Sequence, residues 1–180
     1  TSLAIEQTLP WDVSVELTGF YKRVYDLLSG TTDLTRIPGL DSDPAPRNFS
    51  NVGTGNIYGG ELLIQKPLGD NFYGWVSYTL MRSERTPAPG EPTQLFDFDQ
   101  THILTVIASY DFPYHWRVGA RFRLVSGNPY TATVNGVTDA SQGGSTYLPV
   151  QGPINGARLP AFHQLDLRVD KSWLYRRVKI

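Results

Sequence analysis

The chain has 180 residues, a formal net charge of −1 at pH 7 and no cysteine. That length suits one ordinary domain, and the near-neutral charge leaves no electrostatic footprint for nucleic acid. The missing thiols exclude a disulfide scaffold and any Cys-based metal or redox centre.

Ten tyrosines, seventeen glycines and thirteen prolines against a single methionine favour strands and turns over helices. No apolar run approaches the roughly 20 residues that a membrane-spanning helix needs. The nearest, Ile103 to Tyr110, is too short and contains Thr and Ser. A membrane location would therefore have to be built from strands. The N-terminal residues lack the layout of a signal peptide, so a mature or partial chain is expected.

Taken in chain order, segment after segment alternates two kinds of residue with a period of two, as strands with unlike faces do. Leu3 to Thr8 reads as a half-strand. Next, Val13, Val15, Leu17, Gly19 and Tyr21 alternate with Ser14, Glu16, Thr18, Phe20 and Lys22. Tyr58, Gly60, Leu62 and Ile64 alternate with Gly59, Glu61, Leu63 and Gln65. Phe72 to Leu80 follows the same rule, and Thr101 to Tyr110 follows it least clearly. The fifth and sixth segments are the cleanest. Trp116, Val118, Ala120, Phe122 and Leu124 are set against Arg117, Gly119, Arg121 and Arg123. Leu165, Leu167 and Val169 are set against Gln164, Asp166, Arg168 and Asp170. A further strand begins at Val178.

Short and long connections alternate strictly. Tight turns are predicted at Leu9-Pro10-Trp11, Pro67-Leu68-Gly69-Asp70, Phe112-Pro113-Tyr114 and around Tyr175-Arg176. Long links, rich in Gly, Pro, Ser, Thr, Asp and Asn, cover about 28–56, 86–98 and 127–160. Structureless links of that length count against a soluble domain. They are expected of an up-and-down outer-membrane barrel, which has short periplasmic turns and long extracellular loops.

Aromatics cluster at the short turns. Trp11, Phe72, Tyr110, Tyr114, Trp116 and Trp173 are the expected members of an aromatic girdle at the membrane boundary. The plainer reading is that aromatics are good strand formers. The fold class is thus all-β, an antiparallel up-and-down transmembrane β-barrel. About six to eight strands suit a partial barrel cut from a larger one, because lipid tolerates no free edge.

Several segments resemble the barrel of TonB-dependent receptors, outer-membrane transporters. They are VELTGFYKRVYDLL (15–28), YGGELLIQKPL (58–68), GWVSYTLMRSE (74–84), FDQTHILT (98–105), SGNPYT (126–131) and RLPAFHQLDLRVDK (158–171). Each motif is weak alone, but together they follow the family's order over nearly the whole chain. The resemblance implies the C-terminal part of a barrel of about twenty-two strands. It also implies a plug domain that TonB pulls on to admit siderophores, cobalamin or sugars. This chain carries no plug and no TonB box, so it is expected to supply wall and loops to a parent protein.

On the lumen side of that barrel the expected charged wall is Glu61, Arg117, Arg121, Arg123, Asp166, Arg168 and Asp170. Arginine on the lipid face near the midplane costs about 2–4 kcal/mol, so the arginine row must face inward. Two readings stay open: a cross-strand salt-bridge lattice, or a contact surface for the plug or an anionic ligand. Arg36, Asp41, Asp43, Tyr130 and Tyr147 are the loop candidates for ligand contact, against a bland role as solvated loop residues.

Asp97, Asp99 and His102 fit no standard ligand spacing, so no metal is expected. No catalytic elbow, phosphate loop or paired carboxylates appear, and neither enzyme activity nor a cofactor is expected. The expected partners are outer-membrane lipid, the plug and TonB through the parent protein, and a small ligand, without nucleic acid. The alternatives are an outer-membrane anchor or assembly barrel without transport, a passive porin-like channel, and last a soluble β-domain.

Overall fold

The structure, a computed structural model, describes residues 1–31, 48–139, 146–175 and 178–179. Seven long strands form one antiparallel meander: β1 (Ser2–Leu9), β2 (Val13–Thr31), β3 (Asn48–Gly69), β4 (Phe72–Thr86), then β6 (His102–Phe112), β7 (Trp116–Val125) and β12 (Phe162–Lys171). The two-residue β5 (Gln94–Leu95) pairs with β4. Every neighbour in the sheet is also the next long strand in sequence. This is the up-and-down order expected, and among the described residues the sheet stays open, with β1 and β12 as its edges.

The three short turns share one backbone device. Trp11 and Asp12, Asp70 and Asn71, and Tyr114 and His115 are consecutive pairs with positive φ, between 46° and 66°. Two left-handed residues in succession match the right-handed twist of the flanking strands. Asp and Asn tolerate this conformation, whereas Trp11 and Tyr114 adopt it at a steric cost. Both rings sit at turn tips and are 81% and 83% exposed. The expected turn around Tyr175-Arg176 falls partly outside the described residues.

The long links hold more pairing than their composition suggests. β2 and β3 stay in register out to Thr31↔Asn48, with irregularities between Val24 and Leu28, where Asp26 is left-handed. The third link carries two small ladders: β8 (Pro129–Tyr130) with β11 (Ala157–Arg158), and β9 (Thr133–Asp139) with β10 (Thr146–Gln151). A last pair, β13 (Leu174–Tyr175) and β14 (Val178–Lys179), follows β12.

The sheet has no core of its own. Val125 and, in the third link, Pro129 are the only apolar side chains buried among the described residues. In contrast, Leu3, Ile5, Leu17, Leu165, Leu167 and Val169 are all more than half exposed. Sheets of soluble domains bury one face against another layer. No second layer covers this one among the described residues.

Candidate functional site

Register sorts the side chains into two faces, because residues directly opposite on antiparallel strands point the same way. One face is apolar across the whole sheet. It runs from Leu3 and Ile5 through Val15 and Leu17, then Leu62 and Ile64, Val76, Leu104 and Val106. It continues through Val118, Ala120, Phe122 and Leu124 to Leu165, Leu167 and Val169. Aromatic pairs rim it at the short-turn end: Phe72↔Tyr110 and Phe112↔Trp116, with the Tyr110 and Phe112 rings edge-to-face at 4.7 Å. Trp11 and Tyr114 stand on the turns, and exposed Trp173 follows β12. At the other end the same face carries the pair Tyr21↔Tyr58, and Tyr78, whose hydroxyl is 2.8 Å from His102 Nδ1.

The opposite face is the polar wall. Glu61, Arg117, Arg121, Arg123, Asp166, Arg168 and Asp170 all lie on it, as the alternation requires. Their pairing is local. Arg117 holds Asp111, its register partner, with a fork through Nε and Nη2. Arg168 Nε donates to both oxygens of Asp170, at 3.1 and 2.8 Å. These four charges line a cavity of about 460 Å3 near the short turns, together with His115 and Ser172. Glu61 accepts a hydrogen bond from Thr79 Oγ1, and Glu6 stands directly opposite Glu16, which itself accepts one from Thr18. Arg121 faces Asp166, but Asp166 Oδ1 takes Gln164 Nε2 instead, at 2.9 Å.

At the long-link end the polar face is closed by a knot of hydrogen bonds. Asp99 is fully buried and pairs with Arg158 Nη2 at 2.5 Å. It also accepts from Ser83 N at 2.6 Å and Thr101 Oγ1 at 2.9 Å. Arg158 Nη1 donates to the carbonyls of Asp99 and Gly127. Buried Asn155 donates to the Leu95 carbonyl and to Asp97 Oδ1, tying the second and third links together. A buried carboxylate persists only when every lone pair is occupied, and this one is well supplied.

The knot explains two of the motifs. In FDQTH, Asp99 anchors the knot, and the His102 backbone N–H donates to Ser126 Oγ, 3.1 Å away. In SGNPYT, a Cβ on Gly127 would lie 1.8 Å from the Leu159 carbonyl oxygen, so only glycine lets the two segments cross. Sequence reasoning missed this site. The sequence shows Asp99 as part of FDQTHILT and as a poor fit for a metal ligand, and its partner lies 59 residues away. The only signal was that both residues fall in recognisable motifs.

Of the loop candidates, Tyr130 is exposed beside the knot, and its strand partner is Ala157. Tyr147 is exposed on β10, its ring lying where a Cβ on Gly136 would be. Among the described residues no hydrogen bond, ion pair or ring contact joins these two to Glu61 or to the arginine row. Arg36, Asp41 and Asp43 lie outside the described residues.

An antiparallel meander with one lipophilic face, one charged face and a laced mouth defines the class as part of an up-and-down β-barrel. A family model described as TonB dependent receptor-like, beta-barrel, matches residues 3–179, and the chain belongs to that family of outer-membrane transport receptors. No curated protein matches it.

Proposed function

We propose that the chain forms wall and mouth of a bacterial outer-membrane transporter that takes up a scarce ligand, such as a siderophore, cobalamin or an oligosaccharide. In this reading the apolar face meets outer-membrane lipid and the polar face lines the lumen. The plug and TonB act through the parent protein, and the knotted links sit on the extracellular side. The single observation that carries the reading is an apolar face that runs from one edge of the sheet to the other, exposed on the outer strands, half-buried between them and rimmed by aromatics, on a sheet with almost no core. Lipid covers such a surface without any second protein layer, and an aromatic rim at each end is what a bilayer boundary selects.

The test is spin labelling of the intact parent protein in bilayers, one label each at Val118, Phe122 and Arg121. Labels at Val118 and Phe122 should collide with oxygen, while the label at Arg121 is shielded from it. Water access at all three would leave a soluble β-domain. Uptake that survives collapse of the proton gradient would remove active transport and leave a passive channel.

A further inference from the structure

The arginines of the described residues divide sharply by partner. Arg117, Arg158 and Arg168 are held by aspartates, Arg82 by Glu84, and Arg23 and Arg85 lie over the rings of Tyr25 and Phe96. Arg121 and Arg123 alone make no ion pair, hydrogen bond or ring contact among the described residues. They are adjacent positions on the polar face, directly below the knot, where Val125 is the next residue up and is buried. Two positions along a strand set their Cα atoms about 6.6 Å apart, close enough for both guanidinia to grip one anion.

The surroundings of Arg123 are amides and hydroxyls rather than acids. Arg123 stands between Thr105 and Gln164 in register. It lines a cavity of about 240 Å3 with Gln100, Ser126 and Asn128, and Gln100 Nε2 donates to Asn128 Oδ1 at 3.4 Å. The nearest carboxylate in register is Asp166, beside Arg121, and its Oδ1 is already engaged by Gln164. Guanidinium forks match carboxylate and phosphate oxygens, and a partly enclosed site strengthens that attraction.

The geometry points to an anion-receiving site at Arg121 and Arg123 for a carboxylate or phosphate group of the incoming cargo. This rests on the lumen assignment above and goes beyond it. Of the polar wall, the short-turn arginines are neutralised by their own aspartates, and among the arginines of the described residues this upper pair is left for a ligand. The same chemistry could be supplied by an acidic residue of the plug, so the experiment has to separate the two sources.

Citrate and inorganic phosphate are titrated calorimetrically into the full-length receptor in detergent at low salt. The wild type, Arg121→Gln/Arg123→Gln, Arg121→Lys/Arg123→Lys and the outward-facing control Arg23→Gln are compared. At least tenfold weaker citrate binding in the double glutamine variant, partial retention with lysines and no change in the control would support the site. No citrate binding to the wild type would overturn it. So would a double glutamine variant whose only defect is an earlier release of the plug in urea, which assigns the arginines to a plug carboxylate. The labels at Val118 and Phe122 read the barrel separately: lipid contact there with no anion binding sinks this site alone.

Discussion

Two arginine–aspartate pairs of the same chemistry sit at opposite ends of the polar wall. At the mouth, Asp99 is 0% exposed and the Arg158 side chain 33%; near the short turns, Arg117 is 53% exposed and Asp111 30%. Asp99 joins β4, the start of β6 and β11, so its pair ties together chain segments far apart in sequence. Arg117 and Asp111 flank a single turn and are neighbours in a ladder that exists without them. The difference teaches that burial, not charge, decides which pair is architecture. Water replaces either partner of the outer pair at little cost, whereas a carboxylate sealed under the knot has only the protein to turn to.

The widest gap between the two should come from Arg158→Ala. Breaking a buried pair from one side leaves an uncompensated charge and costs about 3–5 kcal/mol. Because Asp99 keeps Ser83 N and Thr101 Oγ1, the loss should be concentrated in the mouth rather than in the sheet. Limited proteolysis of the full-length receptor should then cut within residues 126–131 and 155–161, where the wild type resists. Removing both charges, as Asp99→Asn/Arg158→Met, should restore part of that resistance, since the orphaned carboxylate is what hurts. Resistance unchanged in Arg158→Ala would show that the knot is incidental.

A second contrast runs across one strand instead of between two ends. Phe122→Arg places a guanidinium on the apolar face, one residue from the native Arg121 on the polar face. Near the midplane that change should cost about 2–4 kcal/mol in unfolding from bilayers, while Arg121→Gln should leave the midpoint nearly unmoved. Equal costs at the two positions would mean that the faces do not separate lipid from lumen.

How much of this was readable without coordinates follows from the same physics. Where a strand divides lipid from lumen, its faces must differ, and the alternation of Val118, Ala120 and Phe122 with Gly119, Arg121 and Arg123 shows it plainly. Beyond Tyr21 and before Tyr58 the sequence sets no apolar face against a polar one. The period then disappears, although β2 and β3 remain paired to Thr31↔Asn48. Those residues therefore read as loop. The small ladders of the third link were hidden for the same reason. The knot was illegible because nothing local marks a partnership between Asp99 and Arg158. Burial of Asp99 is a tertiary fact, and a carboxylate among Phe98, Gln100 and Thr101 looks solvated in sequence. The left-handed Trp11 and Tyr114 were equally hidden, since bulky residues are the last that turn statistics would place there.

The smallest effect should come from the outer pair itself. Arg117→Gln removes both arms of the fork on Asp111, whose carboxylate stays beside the open cavity that it shares with Arg168 and Asp170. Its charge is then solvated and screened within about a Debye length, ~8 Å at physiological salt. The unfolding midpoint in bilayers should match the wild type, and raising the salt should erase any residual difference. A loss as large as that of Arg158→Ala, persisting in high salt, would mean that the short-turn end of the wall is sealed in the assembled barrel. The plug would then be resting on this pair, and the contrast between a buried mouth and an open base would be reversed.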